Sequence, residues 1–426
     1  MPKDSPLKSY ALQFFKAALS FLSVVIYSRM LGAEGRGVLS LLLLYLQIVL
    51  MVNEVVTGSV MANWFVKYGF REVFFLLLKI TAMILCTATI AAILIWPTWW
   101  REIVGLAIIG LSLSWQNIVG NFYQSVGRVV YRNVLALVYE GLKVLLLCLF
   151  FVGCWLGFKG IEFNVRLILF GLAAAGFLWS LFTVFKMIQS GVFVAKSAKN
   201  IPKIGGLIGE GFMAQLGHVM LFFIYKLPLV LAAMYSGNAL TGVFANALLI
   251  ADVFWLFGNS FGMVIHSKAL LDNRKFVQDK WVYRYMGYSM AGTMVMLLCF
   301  ALLPNVLFTG VFGDDFVDLK GYVLGLFPGI LCLAISAPLG HLLHARNDFF
   351  ALFKNHFLAL GGFIFVFYGF KFYFSVEESL IIALNIAFSF VLILNFLRLN
   401  LQFGKAIKSF NNLLVMVKLF FQTSRG

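Results

Sequence analysis

Charge is what this chain has least of. Asp, Glu, Lys and Arg together make up 12% of its 426 residues, about half the share found in a soluble domain. Long polar segments are missing as well, so no extramembrane domain of any size is expected. Gly-rich phosphate loops and Ser/His/Asp arrangements are absent, which excludes ATP hydrolysis on this chain and leaves nothing that points to an enzyme. The five cysteines, Cys86, Cys148, Cys154, Cys299 and Cys332, all lie inside apolar runs. Without a CxxC or Cys/His spacing they read as buried, unreactive thiols rather than metal ligands or disulfides.

What fills the space is apolar. Hydrophobic residues are 62% and aromatics 17% of the chain, with a mean hydropathy of +0.96. No soluble fold of this length hides so much apolar surface, so the bilayer is its solvent. Runs of about 20 apolar residues predict an all-α polytopic membrane protein. Twelve spans are expected near 8–30, 38–60, 72–96, 102–125, 131–156, 165–187, 207–234, 240–265, 284–309, 321–344, 350–371 and 377–399. The N-terminal run contains Lys16 and lacks a small-x-small cleavage site. It reads as a retained first span rather than a signal peptide.

The formal net charge is +16, and its placement explains it without nucleic acid. With the N-terminus assigned to the cytoplasm, Lys and Arg crowd the hinges on that side. The opposite hinges hold only Arg29, Arg36, Arg101, Lys159, Arg166, Lys320 and Lys371. That asymmetry places both termini in the cytoplasm. The organisation expected is an N-terminal six-helix lobe (1–190), a basic cytoplasmic linker (191–206), a C-terminal six-helix lobe (207–400) and an amphipathic basic tail on the membrane surface (401–426). Gly32, Gly37, Val38 and Ser40 fall opposite Gly237, Gly242, Val243 and Ala245 at one constant offset. The two halves therefore read as a weak parallel repeat around a central cavity.

Three glycines and three charges in SRMLGAEGRGVLS (28–40) read as a tight outer turn, with glycine for positive φ and polar residues meeting water. This stretch also resembles the "LGPEGRG"-type turn of oligosaccharide flippases, the Wzx-like branch of the multidrug/oligosaccharidyl-lipid/polysaccharide exporter superfamily. YSGNALTGVFANA (235–247), VFGDDF (311–316), YQSVGR (123–128) and HARND (344–348) resemble other turns and span ends of the same proteins. The chain departs from the pattern in lacking a proline in GAEGRG and an acidic residue in SGNALTG.

That resemblance implies a flippase for lipid-linked oligosaccharide, of undecaprenyl-diphosphate-sugar type, in the bacterial inner (cytoplasmic) membrane. It would serve O-antigen, capsule or exopolysaccharide assembly, with membrane lipids and polysaccharide-assembly enzymes as partners. Two rivals stay open. One is a multidrug or cation antiporter of the same superfamily. The other is a membrane-embedded polymerase or ligase, which the short outer loops disfavour.

Eight ionisable residues fall within the expected spans: Lys16, Glu54, Lys79, Glu140, Lys143, Glu210, Lys226 and Asp252. Each costs at least ~2.5–3.5 kcal/mol at mid-bilayer, so each needs protein, water or a partner. They either rivet helices together, Lys16 with Glu54 and Glu140 with Lys143, or line a hydrated cavity. In the second reading Lys16, Lys79, Lys143 and Lys226 bind the diphosphate. Glu54 and Asp252 then serve ion coupling, with H+ or Na+ as the coupling ion and no cofactor. His341 and His344 share a helix face but lack a third ligand in the sequence, so no metal is expected. Asp314 and Asp315 read as a solvated hinge, and Gln116, Asn117, Asn121 and Gln124 as a polar stripe facing sugar or a neighbouring helix.

Overall fold

The structure is a computed structural model. It describes residues 6–402 except 59–60, 62–63, 66–69, 127, 156–163, 190–203, 272–274 and 347. The basic linker and the C-terminal tail expected from the sequence therefore lie outside the described residues. The helices are α1 (Pro6–Thr57), α2 (Phe70–Ile95), α3 (Trp100–Ser125), α4 (Val129–Trp155), α5 (Val165–Gln189), α6 (Ile204–Leu271), α7 (Lys275–Leu302), α8 (Asn305–Phe312), α9 (Leu319–Gly325), α10 (Phe327–Ala345), α11 (Phe349–Phe370) and α12 (Val376–Gln402). Among the described residues there is no strand. Among the described residues, ten helices are long and apolar enough to cross a membrane. Two of these, α1 and α6, are each broken once, and counting their arms gives the twelve crossings the sequence predicts.

The breaks fall where the sequence places its glycine turns. In GAEGRG and SGNALTG the turn between the two arms is as short as one residue, a glycine at positive φ. Gly32 has φ 65° and ψ −175°, and Gly237 has φ 83° and ψ −175°. These are the residues that faced each other in the sequence repeat. Both occupy a region of backbone space that is essentially closed to other residues.

The chain divides into two units. The first comprises Met1–Gln215 with Val311–Asp315, the second Leu216–Gly310 with Phe316–Gly426. In the first, Trp64, Phe65, Phe70, Phe74 and Phe122 form an aromatic core, with the Phe70 and Phe122 centroids 4.2 Å apart. Buried Asn53 binds three helices together. Its amide donates to Ser114 Oγ at 2.9 Å, and its carbonyl accepts from Thr81 Oγ1 at 2.9 Å. Trp179 and Trp115 carry α5 into the same core, donating to Leu135 O at 3.0 Å and Thr183 Oγ1 at 2.7 Å.

In the second unit the ninth expected span ends early. The helix stops at Leu302, Pro304 cannot continue it, and the short α8 follows. The tenth is broken between Gly325 and Phe327, just before Pro328. Asn385 on α12 spans this break: its amide donates to Gly325 O at 2.8 Å and its carbonyl accepts from Gly329 N–H at 2.8 Å. Asn385→Ala is expected to lower stability by about 1–3 kcal/mol, since both backbone groups lose their partner. Thermal unfolding in detergent would measure it, and an unchanged midpoint would refute the bridge.

Large apolar side chains point outward along the helices, as Leu94, Phe170, Phe185 and Phe365 do; Phe365 is 82% exposed. Such faces are stable only against lipid. Three cysteines correct the sequence reading for this reason. Cys86, Cys148 and Cys299 are exposed on their helices, and Cys332 is half-buried. Trp96, Trp99 and Trp100 cluster exposed at the junction of α2 and α3, the position of an interfacial aromatic belt.

Candidate functional site

Within the first unit, α1 and α4 pack along one another, and this contact gathers most of its intramembrane charge. Lys16 and Tyr27 come from the first arm of α1, Arg36 from the second, and Arg132, Glu140 and Lys143 from α4. Lys143 Nζ lies 2.6 Å from Glu140 Oε2, the i,i+3 pair the sequence suggested, and 5.0 Å over the Tyr139 ring. The charged groups within electrostatic reach of Lys16 are Glu140, Lys143 and Arg132. Lys16 is exposed, while Lys143 and Arg132 are half-buried. Gly120 on α3 makes room for Arg132, whose Nε would stand 3.3 Å from a Cβ at that position.

The carboxylate within electrostatic reach of Lys16 is thus Glu140 and not Glu54, a correction to the expected pairing. Lys143 pairs with Glu140, and Lys16 has both of them and Arg132 within electrostatic reach. A second correction concerns Arg36, assigned by the sequence to a watery outer turn. It is buried, with its guanidinium 5.1 Å from the centroid of Tyr27 and hydrogen-bonded to Ser40. Tyr27 in turn lies within electrostatic reach of both Arg36 and Glu140, extending the polar chain toward the kink.

The remaining expected residues lie elsewhere. Lys79 is exposed on α2, with no described contact to the cluster. Half-buried Glu54 sits near the end of α1, its backbone carbonyl accepting from the Gln215 amide at 3.4 Å. Lys226 and Asp252 are in the second unit, within reach of one another and beside Tyr225. The Glu210 side chain is outside the described residues. Asn121 donates to Thr57 O at 3.0 Å, so part of the polar stripe fastens helices.

Sequence reasoning missed two features. Asp315 is exposed, as the hinge reading expects, but it is also a cap: its Oδ2 accepts from Ala33 N–H at 3.1 Å, at the start of the second arm of α1. And His341 and His344 are not alone. His266 lies 6.3 Å and 5.4 Å from them, and His218 5.6 Å from His344, between ring centroids. Even so, no three His, Cys, Asp or Glu residues converge on a metal position among the described residues.

The class of architecture follows from the twelve-crossing bundle: it is the fold of multidrug-resistance MATE transporters and of MurJ. Against an inward-facing MATE transporter of the MOP superfamily the TM-score is 0.70 at 14% identity, covering 92% of this chain and 96% of the other. The lipid II flippase MurJ, in an inward closed conformation, gives 0.68 at 13% identity, covering 98% and 93%. A MOP superfamily transporter from Pyrococcus furiosus, whose description gives its binding pocket a reverse polarity, gives 0.62 at 14% identity, covering 93% and 94%. No protein-family model matches the chain, and no curated protein does. Identities this low establish the fold alone.

Proposed function

We propose that the chain is a flippase for lipid-linked oligosaccharide, of the undecaprenyl-diphosphate-sugar type. It works by ion-coupled alternating access in the bacterial inner membrane, for O-antigen, capsule or exopolysaccharide assembly. The observation that carries this reading is the gathering of Lys143 and Arg132 within electrostatic reach of Lys16, beside the Lys143–Glu140 pair. Like charges gathered within a membrane span are costly unless an anion visits them, and a diphosphate is the anion that lipid-linked sugars bring. Lysine and arginine both suit phosphate oxygens, as point charge and as planar fork. Lys79 and Lys226 remain candidates for the same headgroup. Glu54 and Asp252 are the carboxylates available to a coupling ion. A flippase needs only to pass the polar headgroup through a wet route while its lipid tail stays in hydrocarbon, since each unpaired hydroxyl there costs several kcal/mol.

The fold shared with MATE transporters keeps cation antiport as the rival. Reconstitution in liposomes separates the two. Labelled lipid-linked oligosaccharide is expected to move from the inner to the outer leaflet, and a quaternary ammonium dye is expected not to be exchanged for protons or sodium. The reverse result would establish the antiporter.

A further inference from the structure

All five histidines of the chain lie in the second unit, and four of them form one group. They come from three pieces of helix: His218 from the first arm of α6, His266 from its second arm, and His341 and His344 from α10. The group is built into the packing. A Cβ at Gly262 would fall 2.1 Å from His341 Cδ2, so this ring lies directly on glycine backbone. One turn earlier, Asn259 Oδ1 meets His341 Nε2 at 2.6 Å. An amide oxygen only accepts, so Nε2 carries the hydrogen and Nδ1 keeps its lone pair. His266 Nδ1 is buried and has no hydrogen-bond partner. His344 stacks edge-on against Phe349, with centroids 5.0 Å apart.

The surroundings exclude the usual reasons for such a cluster. Among the described residues, the charged groups within reach of His341 and His344 are the other histidines, with no carboxylate among them. The fifth ring, His356 on α11, is buried and bonded through Nδ1 to Gly217 O at 2.8 Å. Among the described residues, the other ionisable side chains on the packed elements are occupied or distant. On α6, Lys268 bonds Tyr285 of α7 at 2.9 Å; on α7, Arg284 bonds Tyr288 at 2.7 Å. Asp348 pairs with Arg398 of α12 at 2.9 Å, Lys354 on α11 is exposed, and Arg346 closes α10 with contacts of its own. Lys226 is about 12 Å along the helix from His218, and Asp252 about 21 Å from His266. What remains among the described residues is a set of imidazoles with ring centroids 5.4–6.3 Å apart, close enough that a proton on one disfavours a second on the others. Imidazole is the side chain suited to load and release a proton.

We infer that His218, His266, His341 and His344 form a proton-binding site that takes up a single shared proton. Resting on the flippase reading, this deepens it: the ion that couples through this group is H+, since Na+ needs oxygen ligands that four imidazoles do not offer.

Proton counting tests the site without any substrate. Purified full-length protein in lipid nanodiscs is titrated from about pH 8 to about pH 5 with an indicator dye in weak buffer. Wild type is expected to take up about one proton more per chain than the His266→Gln/His344→Gln variant. Equal uptake overturns the site; a difference of about three or four protons overturns the sharing. If the double variant does not fold, single His266→Gln and His344→Gln variants replace it. Each is expected to move the uptake midpoint to lower pH, and unmoved midpoints count against the proposal. Zinc that binds wild type tightly and abolishes uptake would make the group a metal site instead. In liposomes containing labelled lipid-linked oligosaccharide, a pH gradient is expected to accelerate flipping in wild type and not in His266→Gln. Acceleration by a sodium gradient alone would overturn the coupling. Protein that takes up the proton yet flips no lipid would refute the flippase reading and leave the proton site standing.

Discussion

Flipping of labelled lipid-linked oligosaccharide is expected to fall by about 10–100-fold or more when Lys16 and Lys143 are both changed to glutamine. A hydrogen bond from a charged group to an anion contributes about 1.5–3 kcal/mol, and every 1.4 kcal/mol is tenfold in affinity. The same substitution would also damage a purely structural rivet, because Glu140 is buried against Lys143. Breaking a buried pair by removing one partner costs about 3–5 kcal/mol. The triple variant Lys16→Gln/Glu140→Gln/Lys143→Gln separates the two roles. It removes the orphaned carboxylate with its partners, so thermal stability in detergent is expected to return toward wild type while flipping stays lost. If the triple variant regains transport, the ammonium groups bind no headgroup and serve only to neutralise Glu140. Glu140→Gln alone is expected to keep transport, since it removes no cation.

That experiment turns on a contact the sequence could not choose. Hydropathy was sufficient to read twelve crossings, because a span is a one-dimensional property of length and composition. The depth of Lys16, Glu54 and Glu140 was also legible, as helical rise converts residue number into distance. Which of them meet was not: depth leaves open how the helices are ordered and rotated around the bundle, and packing puts α4 rather than the end of α1 beside Lys16. Arg36 went astray for a related reason. Glycines and charges normally signal a loop, yet only Gly32 leaves the helical region, so Arg36 falls one turn into the second arm and is buried against Tyr27. The histidine group was invisible because its members are scattered over more than a hundred residues. Only the His341–His344 spacing could be seen, and two ligands do not make a site.

The Gly32 kink carries the largest expected effect on folding. Gly32→Ala is expected to cost about 2–4 kcal/mol, and Gly237→Ala about 1–3 kcal/mol, although the two backbones are nearly superimposable in φ and ψ. The shared part is conformational strain, because both residues occupy a region in which a Cβ is not tolerated. The difference lies in what each new methyl group meets. At Gly237 there is nothing within 4 Å, whereas at Gly32 the Cβ would stand 2.8 Å from Asp315 Oδ2. Relieving that clash moves the carboxylate away from Ala33 N–H, one of the donors that a helix start leaves without an intrahelical partner. Loss of such a cap costs about 1 kcal/mol. Thermal unfolding of both variants in detergent, with yield after size-exclusion chromatography, measures the gap. Asp315→Ala supplies the cross-check: it should be milder than Gly32→Ala, and combining the two should cost less than the sum of the single variants, because the contact can be lost only once. Equal midpoints for Gly32→Ala and Gly237→Ala would mean that Asp315 contributes nothing, and that the kink is held by glycine alone.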